Sequence, residues 1–185
     1  MAGVTPSQTV GPYWAIGMPW KDSTAFTGEP PANAITVWGH VLDGAGDPVP
    51  DSLIESWQAD AGGRFDHPDD PRGAVAWDNF RGFARACPDD DARYEITTIM
   101  PGPIPAPGGG MQAPHLLLSV FARGLLDRVV TRIYFSDHAE ANASDAVLAA
   151  LAPERRETLI ARPADGGYRL DIHLQGPQET VFFAL

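Results

Sequence analysis

From residue 34 onward the apolar positions of this chain recur mostly every second residue, the repeat of strands with one face in a core. Ile35-Thr-Val-Trp-Gly-His-Val-Leu-Asp43 is rich in branched and aromatic residues and runs into the turn Gly44-Ala-Gly-Asp-Pro48, which predicts a first strand. Ser52 to Ala59 predicts a second, whose inward face is either Ser52, Ile54 and Ser56 or Leu53, Glu55 and Trp57. A polar, glycine-rich loop from Asp60 to Trp77 follows. Strands are then predicted at Phe80 to Cys87 and at Arg93 to Met100, the latter with Tyr94, Ile96 and Thr98 on one face. His115 to Ala122 is almost continuously apolar and predicts a fully buried strand, with Val129 to Ser136 after it. Thr158 to Ala161 starts another. Gly167 to Gly176 alternates most cleanly, with Tyr168, Leu170, Ile172 and Leu174 inward and Arg169, Asp171 and His173 outward. Thr180 to Phe183 predicts a last strand.

Helical character is confined to Asp137 to Leu151, an alanine-rich stretch that Ser144 or Asp145 caps and Pro153 stops. Pro153 to Glu157 is a turn or a short helix. Strands at turn spacing with one short helical insertion predict an all-β domain, an antiparallel β-sandwich or barrel; we take the sandwich, over residues 34–185. Residues 1–33 have no period and read as an irregular N-terminal arm. Thr5 to Trp14 packs two prolines, a glycine and two aromatic rings into a short span. Rings such as Tyr13, Trp14 and Trp20 need a surface to bury against, and that surface is either the chain's own domain or a partner chain.

Composition sharpens this picture at three points. Nineteen glycines and 18 prolines in 185 residues exceed the roughly 12% of an average chain, and with no periodic repeat they signal turns. A net charge of −11 argues against nucleic-acid or anionic-membrane partners, which call for clustered cations. One cysteine, Cys87, leaves no internal disulfide framework. No run approaches ~18 apolar residues, and M-A-G-V-T-P-S-Q-T lacks a basic-then-apolar pattern, so a soluble, cytoplasmic protein is expected.

The chemistry is sparse. The histidines at 40, 67, 115, 138 and 173 are not spaced as a metal motif. His67-Pro-Asp-Asp70 is a possible ligand cluster but reads better as a solvated loop. No nucleophile elbow, P-loop or dinucleotide fingerprint is present. The stretch Met100 to Gly124 stands out, because four prolines stiffen a loop that feeds the strand from His115. His115 and Arg123 lie roughly 26 Å apart along a straight strand, too far to share a small-molecule site within one chain. Arg123 is either an anion-binding guanidinium or half of a surface ion pair.

Seven segments in order, T-P-S-Q-T-V-G-P-Y (5–13), E-S-W-Q-A-D-A-G-G-R-F (55–65), M-P-G-P-I-P (100–105), A-P-H-L-L-L-S-V-F-A-R-G (113–124), T-R-I-Y-F (131–135), R-R-E-T-L-I-A (155–161) and Y-R-L-D-I-H-L-Q-G (168–176), resemble the alpha chains of the protocatechuate 3,4-dioxygenases, in the intradiol ring-cleavage dioxygenase family. The resemblance implies a β-sandwich chain that pairs with a related beta subunit. In that family the beta subunit binds a non-haem Fe(III) through two tyrosines and two histidines. The matching positions here are Phe65, Ile104, His115 and Leu117, so three of four donors are replaced by side chains without a lone pair, and no cofactor is expected in this chain. These vestigial positions are expected to form a packed, dry site. The resemblance also implies that Thr9, Gly11, Pro12, Tyr13 and Arg123 line the substrate pocket of the partner, with Arg123 facing the substrate carboxylate. The implied reaction inserts both atoms of O2 between the hydroxylated carbons of protocatechuate to give 3-carboxy-cis,cis-muconate. Two other readings stand beside it. One is a self-sufficient dioxygenase with iron on Tyr94, Tyr134 and His115. The other is a metal-free sandwich that only scaffolds or binds.

Overall fold

The computed structural model describes residues 9, 11, 13–18 and 24–184. Among them, nine strands form one large mixed sheet: β1 (Ile35–Leu42), β2 (Leu53–Trp57), β3 (Phe83–Ala86), β4 (Arg93–Thr98), β7 (His115–Phe121), β8 (Val129–Phe135), β9 (Ile160–Ala164), β10 (Gly167–Arg169) and β11 (Ile172–His173). A separate two-stranded ribbon, β5 (Ile104–Pro105) with β6 (Met111–Gln112), caps the Pro-rich loop. The large sheet runs β4, β1, β10 with β11, β9, β8, β7, β2, β3, and it curls nearly into a barrel around one main core.

The expected antiparallel arrangement needs correction, because β1 pairs in parallel with β10 and β11, and β8 pairs in parallel with β9. The β8–β9 join is only two residue pairs long, Tyr134 with Ile160 and Phe135 with Ala161. It links an antiparallel half, β8-β7-β2-β3, to a mixed half, β9-β10/β11-β1-β4.

β10 and β11 are two pieces of one strand. Val37 pairs with Tyr168 and Val41 with Ile172, so the register along β1 is unchanged across the gap. At the gap the Leu170 carbonyl accepts the Tyr94 hydroxyl (2.7 Å), while the His40 N–H turns to Asp171 Oδ1 (3.0 Å). Only glycine fits beneath that carbonyl: a Cβ at Gly39 would lie 1.7 Å from the Leu170 oxygen. Tyr94, Ile96 and Thr98 face inward as expected, and so do Leu170 and Ile172. Ser52, Ile54 and Ser56 prove to be the inward face of β2; Glu55 and Trp57 look out.

Three expectations shift. The expected full burial of β7 holds for one face only: Leu116, Leu118 and Val120 are in the core, while His115, Leu117, Ser119 and Phe121 are half-buried beneath loops. Thr180 to Phe183 forms no regular strand, only a bridge from Phe183 to Val130. The helical insertion breaks into α2 (Ala139–Ser144) and α3 (Ala146–Ala149), while the short helix expected from Pro153 is present as α4 (Pro153–Arg156); 3-10 turns lie on either side of the group. Asp145 is the cap: its Oδ1 accepts from the N–H groups of Val147 (2.8 Å) and Leu148 (3.1 Å).

Of the segment expected as an arm, residues 24–27 are stitched to the sheet. Ala25 N–H bonds the Thr97 carbonyl (2.9 Å), Thr27 N–H bonds the Asn79 carbonyl (2.8 Å), and Ala25 and Phe26 lie in the core. Nearer the amino terminus, Tyr13–Gly17 is a single helical turn, α1. No helix among the described residues is long and apolar enough to cross a membrane.

Candidate functional site

The outward face of β7 carries two clusters, one at each end. At its start, Phe65, Ile104, His115 and Leu117 line one cavity of about 140 Å³, together with Trp57, Gln58, Ala59, Gly102, Gln112 and Arg132. The sheet supplies one wall: Leu117 on β7 lies between Trp57 on β2 and Arg132 on β8, and His115 pairs with Tyr134. Two loops supply the other. The buried Asp60 carboxylate gathers the N–H groups of Gly62 (2.8 Å), Arg64 (2.9 Å) and Ala76 (2.8 Å), which folds the glycine-rich loop. That loop presses backbone to backbone on the Pro-rich loop, since a Cβ at Gly102 would meet the Ala61 carbonyl oxygen at 2.4 Å. Phe65 and Ile104 reach the cavity from these two loops.

Phe65 does not fill it. Its ring lies flat on Trp57, with centroids 5.6 Å apart and planes 5° apart, under the Arg72 guanidinium. Its N–H donates to Asp70 Oδ2 (2.7 Å). Arg72 bonds that same carboxylate and holds Asp70 well below the usual carboxylate range. His67 and Asp69 are exposed loop residues joined by a turn bond, and no group of three His, Cys, Asp or Glu residues among the described ones could hold a metal. In place of the expected packed site there is a cavity with mixed walls, apolar at Trp57, Phe65, Ile104 and Leu117 and polar at Gln112, His115 and Arg132, because Phe65 spends its ring on Trp57.

His115 donates its Nδ1 proton to the Ala113 carbonyl (2.7 Å), which leaves Nε2 as a lone pair in the neutral ring. Burial, seconded by the Arg132 charge, pushes it down to about 4. Tyr134 packs beside it at 5.4 Å, and burial pushes its phenol up to about 12. The Tyr134 hydroxyl lies between Arg132 Nη1 (3.1 Å) and Asp145 Oδ1 (3.4 Å). Tyr94 is spent elsewhere in the core on the Leu170 carbonyl, and burial raises its phenol strongly. A triad of Tyr94, Tyr134 and His115 is therefore not assembled. Nor do the family's metal positions fit a hard cation here, because Phe65, Ile104 and Leu117 have no donor atom and a guanidinium shares the cavity.

At the far end of β7 the second cluster forms. Thr9 Oγ1 accepts the Gly124 N–H (2.9 Å), Trp14 stacks on Phe121 at 4.8 Å, and Gly11 adjoins Thr9 (3.4 Å). Thr9 and Trp14 thus lie against the chain's own domain here, beside Arg123. Tyr13 and Ile16 nevertheless point away from it, 79% and 73% exposed. Arg123 is 62% exposed and places Nε 3.3 Å from Asp51 Oδ2, so the expected alternative of an ion pair is present. Pro12 lies outside the described residues.

Sequence reasoning missed Arg132 and Gln112 as site residues, and it found Asp145 only as a helix cap, without its link to Tyr134. Arg132 did carry a signal, a lone charge inside the apolar run V-V-T-R-I-Y-F.

Comparison with known proteins gives one answer by three routes. The family signature described as Dioxygenase matches residues 10–176. The chain is similar to the protocatechuate 3,4-dioxygenase alpha chain of Burkholderia cepacia, 42% identical over 97% of this chain and 96% of that one. It is also similar to the beta chain from Burkholderia cepacia, 35% identical over 83% of this chain and 69% of that one. Among solved structures it resembles the dioxygenase domain of a carbohydrate-binding fusion protein from Streptomyces sp. SirexAA-E, with a TM-score of 0.59, 26% identity, and coverage of 93% and 98%.

Proposed function

The chain belongs to the dioxygenase family, and from that premise we propose that it is the alpha, non-iron-binding subunit of a protocatechuate 3,4-dioxygenase. The observation that carries the alpha assignment is the cavity itself: Phe65, Ile104 and Leu117 share it with His115, and none of the three can ligate. Iron then belongs to the beta subunit, where it supplies the chemistry that inserts O2 between the hydroxylated carbons of protocatechuate to give 3-carboxy-cis,cis-muconate.

This chain's own part is to complete the partner's pocket. Thr9, Gly11, Pro12, Tyr13 and Arg123 form that wall. In support, the described members gather at one end of β7, with Tyr13 and the Arg123 guanidinium turned to the outside. The guanidinium fork matches the substrate carboxylate, and Asp51 steadies it from behind through Nε. In this reading the amino-terminal arm docks on the partner through Tyr13 and Ile16, while Trp14 and Thr9 hold it to its own domain. Nothing in the role calls for a membrane, and we place the complex in the cytoplasm. A scaffold without a part in recognition is the second reading, favoured by the Arg123–Asp51 pair.

The test is to purify the chain alone and with its beta partner. The chain alone is expected to hold no iron and open no ring, and the pair is expected to consume protocatechuate. Stoichiometric ferric iron with turnover in the isolated, folded chain would overturn the assignment.

A further inference from the structure

The cavity at the start of β7 is built around a fixed positive charge that no ligand yet explains. Arg132 lines it and spends Nη1 on Gln112 Oε1 (2.7 Å) and on the Tyr134 hydroxyl (3.1 Å). Its Nε and Nη2 have no hydrogen-bond partner among the described residues, and no carboxylate there lies within ion-pair reach. The nearest acid along the network, Asp145, stands behind the Tyr134 hydroxyl, and its oxygens already accept from Ala113, Val147 and Leu148. The two lining amides are also committed. Gln58 donates to the carbonyls of Ala59 and Ile99 and accepts from Thr98, while Gln112 donates to the Pro105 carbonyl. The remaining polar capacity is therefore the open edge of one guanidinium and the Nε2 lone pair of His115.

We propose that this cavity binds a small organic carboxylate, held by Arg132 and walled by Trp57, Phe65, Ile104 and Leu117. The charge decides against a cation, since a guanidinium in the same small space repels one. The fork geometry selects a planar, two-oxygen anion. The size sets the rest: a cavity of about 140 Å³ compares with the ~150 Å³ that accommodates one benzene ring, so a few carbons fit behind the carboxylate. The apolar walls favour a carboxylate with a hydrocarbon body over an inorganic anion. This site lies at the opposite end of β7 from Arg123 and does not depend on the role proposed for that residue.

The experiment is a titration of the full chain with sodium propionate, followed by NMR at the Arg132 Nε–H and the Trp57 indole N–H. Sodium chloride at equal ionic strength is the control. Saturable shifts at both groups are expected with propionate alone. Arg132→Gln, close in size and neutral, should weaken binding about tenfold or more. Leu117→Phe should abolish it by filling the space while leaving the charge in place, so the proposal stays testable should the Arg132 variant fail to fold. The same shifts with chloride, unchanged binding in a folded Arg132→Gln chain, or saturable uptake of a ferric or zinc ion at His115 would each overturn it.

Discussion

Replacing Arg123 by alanine separates recognition from architecture, because its two partners differ in what they contribute. Within the chain the partner is Asp51, whose carboxylate oxygens are buried and lack an aligned hydrogen bond although Arg123 Nε is 3.3 Å away. An ion pair with a 62% exposed arginine is worth only about 1 kcal/mol or less. Arg123→Ala should therefore lower the stability of the isolated chain by about that much in urea denaturation. A substrate carboxylate held in a partly desolvated pocket is worth roughly 1.5–3 kcal/mol, a ten- to hundredfold effect on binding. In the assembled enzyme the same variant should raise the apparent KM for protocatechuate by that factor and leave plain catechol, which has no carboxylate, nearly unchanged. Arg123→Lys should recover only part, since an ammonium has no fork. The double variant Arg123→Ala with Asp51→Asn relieves the orphaned carboxylate, so it should restore stability without restoring the KM. Equal damage towards both substrates, or recovery of the KM in the double variant, would refute the reasoning and make Arg123 an architectural residue.

Three further outcomes are expected. Asp145→Ala removes the cap of α3 and orphans the buried Ala113 N–H; the cap is worth about 1 kcal/mol and the orphan about 1–3, so urea denaturation should show a loss of about 2–4 kcal/mol, and a loss under 1 would contradict the bond network. Deleting residues 1–14 removes the Trp14–Phe121 stack and the Thr9–Gly124 bond; stability should fall by no more than about 2 kcal/mol, whereas co-purification with the beta subunit and ring cleavage should fall far more, and normal activity of the truncated pair would count against the arm as a pocket wall. The Tyr134 phenol, pushed up to about 12 from 10, ionises later in the folded chain than in the unfolded one, so its contribution is complete below pH 10 and is lost as pH rises towards 12; urea midpoints between pH 9 and 11.5 should fall, less steeply in Tyr134→Phe, and an identical slope in both would be inconsistent with the burial of that ring.

Strand periodicity was legible wherever the two faces of a strand differ in kind. Tyr168, Leu170, Ile172 and Leu174 could be assigned inward because charged residues alternate with them. Ile54 could not, because Trp57 is an apolar residue on the outward face, and its partner Phe65 comes from a loop that no local pattern connects to it. Parallel pairing of β1 with β10 was hidden for a related reason: side-chain alternation records which face is buried and says nothing about the neighbouring strand. The four vestigial positions came from the resemblance to a known family and not from any spacing, and they do share one cavity. What fills that cavity was not legible, since it turns on ring orientation and on a cation from the next strand.

The continuous register of β10 and β11 along β1 has a kinetic consequence. Val37 pairs with Tyr168 and Val41 with Ile172, and the last strand enters between β1 and β9 rather than adding at a free edge. The sheet cannot be completed until residues far along the chain have been synthesised, and loop closure over such a span must precede the contacts that reward it. Until then β1 carries β4 on one side and an unpaired, apolar edge on the other. That edge is the most vulnerable part of the nascent protein. Refolding from urea is expected to be slow, in the range of milliseconds to seconds or beyond, with aggregation setting in before β10 docks.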